Sequence, residues 1–221
     1  KRSKITILLA IVLGMTFHSC LDLEPQDQLG GKNMWTSVND YKQFANTFYS
    51  WTRDFSSVVY DGTHSDKRSD LITYQSYNEF SRGINSIPSS DANYTDNYKH
   101  IRRTNLLLQN AEAYAKPEDI KQYIGEAYFF RAYSYFDLLQ LYGDVIITKK
   151  PLDITDPEMK VKRNDRSEVV DLIIDDLNHA VENLPAFKEL TTEEEGRISK
   201  EGAQAFLSRV ALYEGTWQKS R

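Results

Sequence analysis

Apolar residues recur every three or four positions along most of the chain after residue 35, which is the period of one face of an α-helix. The pattern predicts a first helix with Ser37 as its N-cap. It also predicts four longer helices: two span about 96–114 and 118–142, and two begin at Ser167 and Ser199. The apolar face of the first helix consists of Tyr41, Phe44, Ala45 and Phe48, and that of the last of Ala203, Phe206, Leu207, Val210, Tyr213 and Trp217.

The four longer helices form two hairpins, over roughly 97–142 and 167–217, separated by the 144–166 loop, in which 145–148 is a short extended run. A motif in the first hairpin, Ala127-x₃-Arg131-x₃-Tyr135, recurs in the second as Ala205-x₃-Arg209-x₃-Tyr213. Small and large residues at this spacing are typical of tetratricopeptide-like repeats. The predicted fold class is therefore all-α, built from tetratricopeptide-like hairpins with long ordered loops.

We expect Arg131 and Arg209 to be structural arginines, paired or reaching solvent between repeats, and Asn105 to be a hydrogen-bonded core residue.

The first twenty residues resemble the export signal of a bacterial lipoprotein. A cationic start precedes a thirteen-residue apolar run over 5–17, which is shorter than the roughly 20 residues of a membrane-spanning helix. Ser19 then stands directly before Cys20, the single cysteine of the chain. We expect residues 1–19 to be a signal peptide, Cys20 to be the lipid attachment site and 20–34 to be an acidic tether.

Four stretches along the chain resemble the SusD/RagB family of outer-membrane nutrient-binding lipoproteins. In order they are Cys20-Leu-Asp-Leu-Glu-Pro; Trp35-Thr36 with Asp40-Tyr41 and Tyr49; Tyr98 to Asn105 with Glu126 to Val145; and Arg166 to Trp217. The resemblance departs at Tyr94, where many members have a tryptophan nearby. It implies that 35–221 is the N-terminal helical domain of the family, incomplete at its C-terminus because members are longer.

The resemblance also implies a location and partners. A protein of this family is anchored in the outer membrane of Bacteroidetes and exposed at the cell surface. It captures oligosaccharides and delivers them to a SusC-like TonB-dependent transporter. The net charge of −5 disfavours a nucleic-acid partner, because an acidic surface repels phosphate.

Sugars bind by stacking on aromatic rings while Asp, Asn and Arg side chains bond their hydroxyl groups. Residues 53–92 show no sustained period, and we expect a long ordered loop there. The ligand-binding candidates in this loop are Tyr60, Asp66, Arg68, Asp70, Tyr74 and Tyr77. The structural alternative is that the tyrosines pack the loop onto the helices and the charged groups are solvated.

No catalytic motif is present: the nucleophile elbow, the Walker loop and the HExxH pattern are all missing. We therefore expect a binding protein rather than an enzyme, with no cofactor and no metal site, although calcium at the loop aspartates stays open. Two other functions remain as alternatives. One is a helical-repeat scaffold that binds proteins, and the other is a fragment without function.

Overall fold

The computed structural model describes residues 34–52, 79, 82–152 and 155–215. The chain divides into two units, Lys1–Met34 and Trp35–Arg221, and every described helix lies in the second. Five α-helices are described: α1 Val38–Asn46, α2 Ala92–Glu112, α3 Lys121–Tyr142, α4 Arg166–Asn183 and α5 Lys200–Glu214. Short 3₁₀ segments, Thr47–Trp51 and Pro117–Ile120 among them, join or extend these helices.

The predicted all-α fold class is confirmed. The described residues contain no β-strand, and their one extended pairing is an isolated antiparallel bridge between Val145 and Asn164. This bridge holds the start of the predicted extended run 145–148. We call residues 143–152 the connector, because they lead away from the end of α3.

Side-chain caps fix where the helices begin. Ser37 caps α1 in a capping box with Asp40, and Ser199 caps α5, both as predicted. The prediction that Ser167 caps α4 is wrong: the N-cap is Asp165, which has extended backbone and whose N–H donates to the Glu168 carboxylate at 3.1 Å. Helix α2 likewise begins four residues before the predicted start, because the side chain of Asp91 accepts a hydrogen bond from the backbone two residues on.

Helix α3 lies at the centre of the described helices and packs against α2 on one side and α4 on another. It is buried around most of its circumference. The close approach of α3 to the end of α4 depends on Gly125, where an added Cβ would lie 2.9 Å from the Leu184 Cγ atom and 3.0 Å from its backbone nitrogen. Because a backbone atom cannot rotate away, this position requires glycine.

Helix α5 packs against α4 and is buried along one side only, by Ala203, Leu207, Val210 and Ala211. The predicted apolar face is therefore partly wrong, since Tyr213 is 64% exposed. Leu212 beside it is 76% exposed. Within the described part of the chain, none of the helices combines the length and the apolarity that crossing a membrane requires.

Candidate functional site

The repeat arginine Arg131 is held inside the protein by an ion pair with α4. Its Nε and Nη2 atoms donate to the two carboxylate oxygens of Asp176 at 2.8 and 2.6 Å, and its Nη1 atom donates to the Oδ1 atom of Asn105 at 2.8 Å. Asp176 has no exposed surface and Arg131 is 5% exposed. Such bidentate contacts satisfy the buried charges on both sides. The structural role expected for Arg131 and Asn105 is confirmed, whereas Arg209 is exposed on α5.

The same cluster continues into the connector. The amide of Asn105 donates to the carbonyl oxygens of Thr148 at 3.0 Å and Lys150 at 3.3 Å. The Tyr135 hydroxyl accepts from the Thr148 N–H at 2.7 Å, and the Tyr98 hydroxyl accepts from the Ile146 N–H at 3.0 Å. Burial raises the pKa of Tyr98 and Tyr135. These hydroxyl and amide groups bond connector backbone groups beyond the Val145–Asn164 bridge, so they have a structural role.

A second buried ion pair ties α3 to the segment before α5. The Nε and Nη2 atoms of Arg197 donate to the two Glu126 oxygens, each at 2.7 Å, and its Nη1 atom donates to the side chain of Asn46 in α1. The Tyr49 hydroxyl accepts from the Ile198 N–H at 3.0 Å. Burial raises the pKa of Glu126, and the Arg197 guanidinium opposes that effect. Sequence reasoning missed this pair. Its signal was a glutamate, Glu126, directly before the repeat residue Ala127 in an otherwise largely apolar and aromatic helix.

A cleft of about 410 Å³ opens between α2 and the connector. Ligand pockets commonly span roughly 300–1,000 Å³, so the cleft is large enough for a small ligand. The ring of Tyr94 stands in its wall, 4.8 Å from the Tyr98 ring and 5.2 Å from the Tyr142 ring between centroids. The lining residues are Tyr94, Thr95, Tyr98, Lys99, Arg102, Ile146, Thr148, Lys150 and Leu152.

A smaller recess of about 190 Å³ lies on the opposite side of α2. Successive residues of an α-helix are rotated by about 100°, which places Asn93, Asn97 and His100 away from the cleft side of α2. The other lining residues are Trp51, Ala92, Asp96, Tyr133 and Asp137. This lining combines amide, carboxylate and aromatic groups, which is the chemistry expected of a sugar-binding surface.

Two contacts shape the recess. The His100 ring stacks on Trp51, with centroids 4.1 Å apart and planes 15° apart, and the Asn97 amide donates to the Asp137 carboxylate at 3.1 Å. Burial lowers the pKa of His100 to about 4, so the ring is neutral near pH 7 and one of its nitrogens can accept a hydrogen bond. Trp51 ends the 3₁₀ segment that leads towards residue 53, where the predicted ligand loop begins.

The sequence-predicted site residues lie outside the described residues. These are Cys20 and the loop candidates Tyr60, Asp66, Arg68, Asp70, Tyr74 and Tyr77. Trp217, which was predicted on the apolar face of the last helix, also lies outside them. Among the described residues, no group of three or more histidine, cysteine or carboxylate side chains is arranged to hold a metal ion.

Comparison with known proteins identifies the family. Residues 21–212 match the SusD-like family described as "Starch-binding associating with outer membrane". SusD-like protein P38 of Formosa agariphila is 28% identical over 96% of this chain and 42% of its own length. A second SusD-like protein of that organism, P2, is 28% identical over the whole chain and 45% of its own length. The chain thus spans under half the length of these relatives.

Solved structures agree with the sequence match. A SusD-like protein of Bacteroides fragilis is 27% identical, with a TM-score of 0.72 over 89% of this chain and 39% of that one. A laminarin-binding SusD-like protein is 30% identical, with a TM-score of 0.56 over 64% of this chain and 30% of that one. The family match covers most of the chain, and the helical arrangement follows the same fold. The chain belongs to the SusD-like family of carbohydrate-binding, outer-membrane-associated proteins.

Proposed function

We propose that this chain is part of a cell-surface lipoprotein that binds oligosaccharides and delivers them to a SusC-like TonB-dependent transporter in the outer membrane. The observation that carries the proposal is the family match over residues 21–212, which begins directly after Cys20. The laminarin-binding relative supports a glycan as the ligand. Cys20 is the proposed lipid attachment site.

The proposed glycan site consists of the loop candidates and the recess beside Trp51. Trp51 lies two residues before the loop, and the recess supplies amide and carboxylate groups from Asn93, Asp96 and Asn97. Carboxylates accept from sugar hydroxyls, amides both donate and accept, and aromatic rings cover the apolar face of a sugar. Tyr74 and Tyr77 are the proposed stacking rings.

The two buried ion pairs support such a site because they hold its base in place. Arg131 and Asp176 fix α3 to α4, and Arg197 and Glu126 fix α3 to the start of α5. Helix α2, which carries most of the recess residues, packs on α3 and is joined to it by the Asn97–Asp137 hydrogen bond. A ligand then meets groups that are already oriented, which reduces the entropy cost of binding.

Affinity electrophoresis tests the proposal. The unacylated protein, which is residues 20–221 carrying Cys20→Ser, would run through native gels containing laminarin, starch or other soluble polysaccharides. We expect one glycan to retard it, and both Tyr74→Ala and Tyr77→Ala to weaken the retardation, since each removes a proposed stacking ring. Phe187→Ala is the matched control, because it removes a ring that is 64% exposed on the turn after α4.

The result also separates the alternatives. Retardation that survives both tyrosine substitutions but is lost in Asn97→Ala would place binding in the recess alone. A folded protein that no glycan retards would contradict glycan binding by this part of the chain. The lipid anchor is tested separately: the wild-type chain should incorporate labelled palmitate in a bacterial host, and Cys20→Ser should not.

A further inference from the structure

The 3₁₀ segment Thr47–Trp51, which we call the Trp51 segment, supplies one wall of the recess. Its last residue, Trp51, stacks on His100 of α2 with ring centroids 4.1 Å apart. A 3₁₀ helix has poorer hydrogen-bond geometry than an α-helix, and runs longer than three or four residues are uncommon. Side-chain contacts must therefore hold this five-residue segment in place.

Two residues far along the chain hold the Trp51 segment at its start and in its middle. The Nη1 atom of Arg197 donates to the side chain of Asn46, the last residue of α1. The N–H of Ile198 donates to the Tyr49 hydroxyl at 3.0 Å, and the Arg197 guanidinium carbon lies 5.3 Å from the centroid of the Tyr49 ring. The bonded partners are 151 and 149 residues apart in sequence, so the segment before α5 fixes them from outside.

Arg197 is itself held firmly. Its Nε and Nη2 atoms donate to the two oxygens of Glu126, each at 2.7 Å, and Glu126 has no exposed surface. The guanidinium group is a rigid planar fork. Two bonds to α3 therefore also fix the direction of the third bond, which goes to Asn46.

Aromatic packing connects this anchor to Trp51. Phe130 of α3 contacts the rings of both Tyr49 and Trp51, with centroids 5.0 and 5.9 Å away. The ring of Phe48, which is fully buried, lies 4.7 Å from that of Trp51. Because close-packed rings do not move independently, a displacement of Tyr49 also displaces Trp51.

We propose that Arg197 is a positioning residue for the recess: through Asn46 and, together with Ile198, through Tyr49, it determines where the Trp51 ring lies over His100. Arg197 is not among the residues that line the recess, so it acts on the site through a ring that does line it. The inference rests on the proposed function only in taking the recess as part of the glycan site.

Nuclear magnetic resonance of the His100 imidazole tests the proposal, because this ring reports whether Trp51 covers it. Burial lowers the pKa of His100 to about 4, and the charges of Asp96, Arg103 and Lys99 act on it as well. Moving Trp51 off the ring would admit water and raise the pKa towards about 6.5, the value of a solvated imidazole. The sample is the unacylated protein, and the signal is assigned by its absence in His100→Gln.

Two double variants cut the link in different places. Asn46→Ala with Tyr49→Phe removes both polar contacts to the segment and leaves the Arg197–Glu126 pair intact. Arg197→Met with Glu126→Met removes the pair itself and leaves no buried charge without a partner. Both variants should raise the pKa of His100 towards about 6.5, and both should weaken retardation by the glycan that retards the wild type.

Two controls separate positioning from a general loosening of the protein. Ser50→Ala removes a hydroxyl that donates to the Thr47 carbonyl oxygen at 2.8 Å, a contact within the segment. Arg131→Met with Asp176→Leu removes the other buried ion pair, which joins α3 to α4. Neither change should alter the pKa of His100.

Three outcomes would overturn the proposal. In the first, the pKa of His100 keeps its wild-type value in either linking variant. In the second, the Arg131–Asp176 control raises it as much as they do. In the third, the wild-type pKa is already near 6.5, which would mean that Trp51 does not cover the ring. A folded wild type that no glycan retards would contradict the proposed function instead, and the pKa comparison, which needs no glycan, would still decide the role of Arg197.

Discussion

Removing the carboxylate of Asp176 should be among the most destabilising single changes in this protein. Asp176 has no exposed surface, and its two oxygens accept from Arg131 at 2.8 and 2.6 Å. Asp176→Leu would leave the Arg131 guanidinium buried with the Asn105 oxygen at 2.8 Å as its remaining side-chain acceptor. Breaking one side of a buried ion pair costs about 3–5 kcal/mol. We expect the free energy of unfolding to fall by about that amount.

The double substitution Asp176→Leu with Arg131→Met should recover most of this loss, because two apolar side chains need no partner. Part of the loss should remain, since Asn105 would lose the donor that orients its amide towards the connector carbonyls. The assay is urea unfolding of the unacylated protein, followed by circular dichroism and extrapolated linearly to water. Asp175→Leu is the matched control: this neighbouring carboxylate is 61% exposed and should change stability by no more than about 0.5 kcal/mol.

Two results would refute the reasoning. If Asp176→Leu cost no more than Asp175→Leu, the ion pair would not be buried in solution. If the double variant were as unstable as the sum of the two single variants, Arg131 and Asp176 would be acting independently rather than as a pair.

Three smaller predictions address packing, the connector and pH. Gly125→Ala should destabilise the protein by about 1–3 kcal/mol in urea unfolding, because its Cβ would meet backbone, whereas Gly202→Ala should cost less, because its Cβ would meet only the end of a flexible side chain. Tyr98→Phe should lower stability by about 1–3 kcal/mol and speed amide exchange at Ile146, whose N–H it leaves without an acceptor. Because the pKa of His100 is lowered to about 4 in the folded protein, the unfolded chain binds a proton at His100 at a higher pH than the folded protein does. The free energy of unfolding should therefore decrease as the pH is lowered from about 6.5 to about 4, and His100→Gln should flatten that decrease in melting curves.

The helices were predictable because the spacing of apolar residues that marks a helix can be read from neighbouring positions in the sequence. The caps Ser37 and Ser199 follow from the same local reasoning, and the structure confirms both. Helix α4 shows the limit: Asp165 and Ser167 are both competent caps, and the choice depends on where the chain turns. The N–H of Arg166 donates to the Asp144 carboxylate at 3.0 Å, a contact 22 residues away that no local pattern records.

The buried ion pairs were half predictable. A lone arginine on an apolar helix face indicates a buried partner, and Arg131 has one. Its identity was not predictable, although Asp176 carried a signal of its own: it lies in the apolar stripe of α4, between Ile173 and Leu177. Tyr213 was predicted on the apolar face of α5, yet it is 64% exposed, because a helical period shows only which side of a helix is apolar. It does not show how many of the sides are covered.

Several residues in the stretches that resemble the family have structural roles, and this limits what they say about the ligand. Tyr98 and Asn105 bond the connector backbone, and Arg131 and Glu126 are consumed in buried ion pairs. The polar groups of Asn105, Arg131 and Glu126 are not available to a sugar without breaking a contact that holds the helices together, whereas the Tyr98 ring lines the cleft. We therefore expect ligand choice to depend on side chains outside these contacts. The candidates are the loop after Trp51 and the recess beside it, which amide, carboxylate and aromatic groups line.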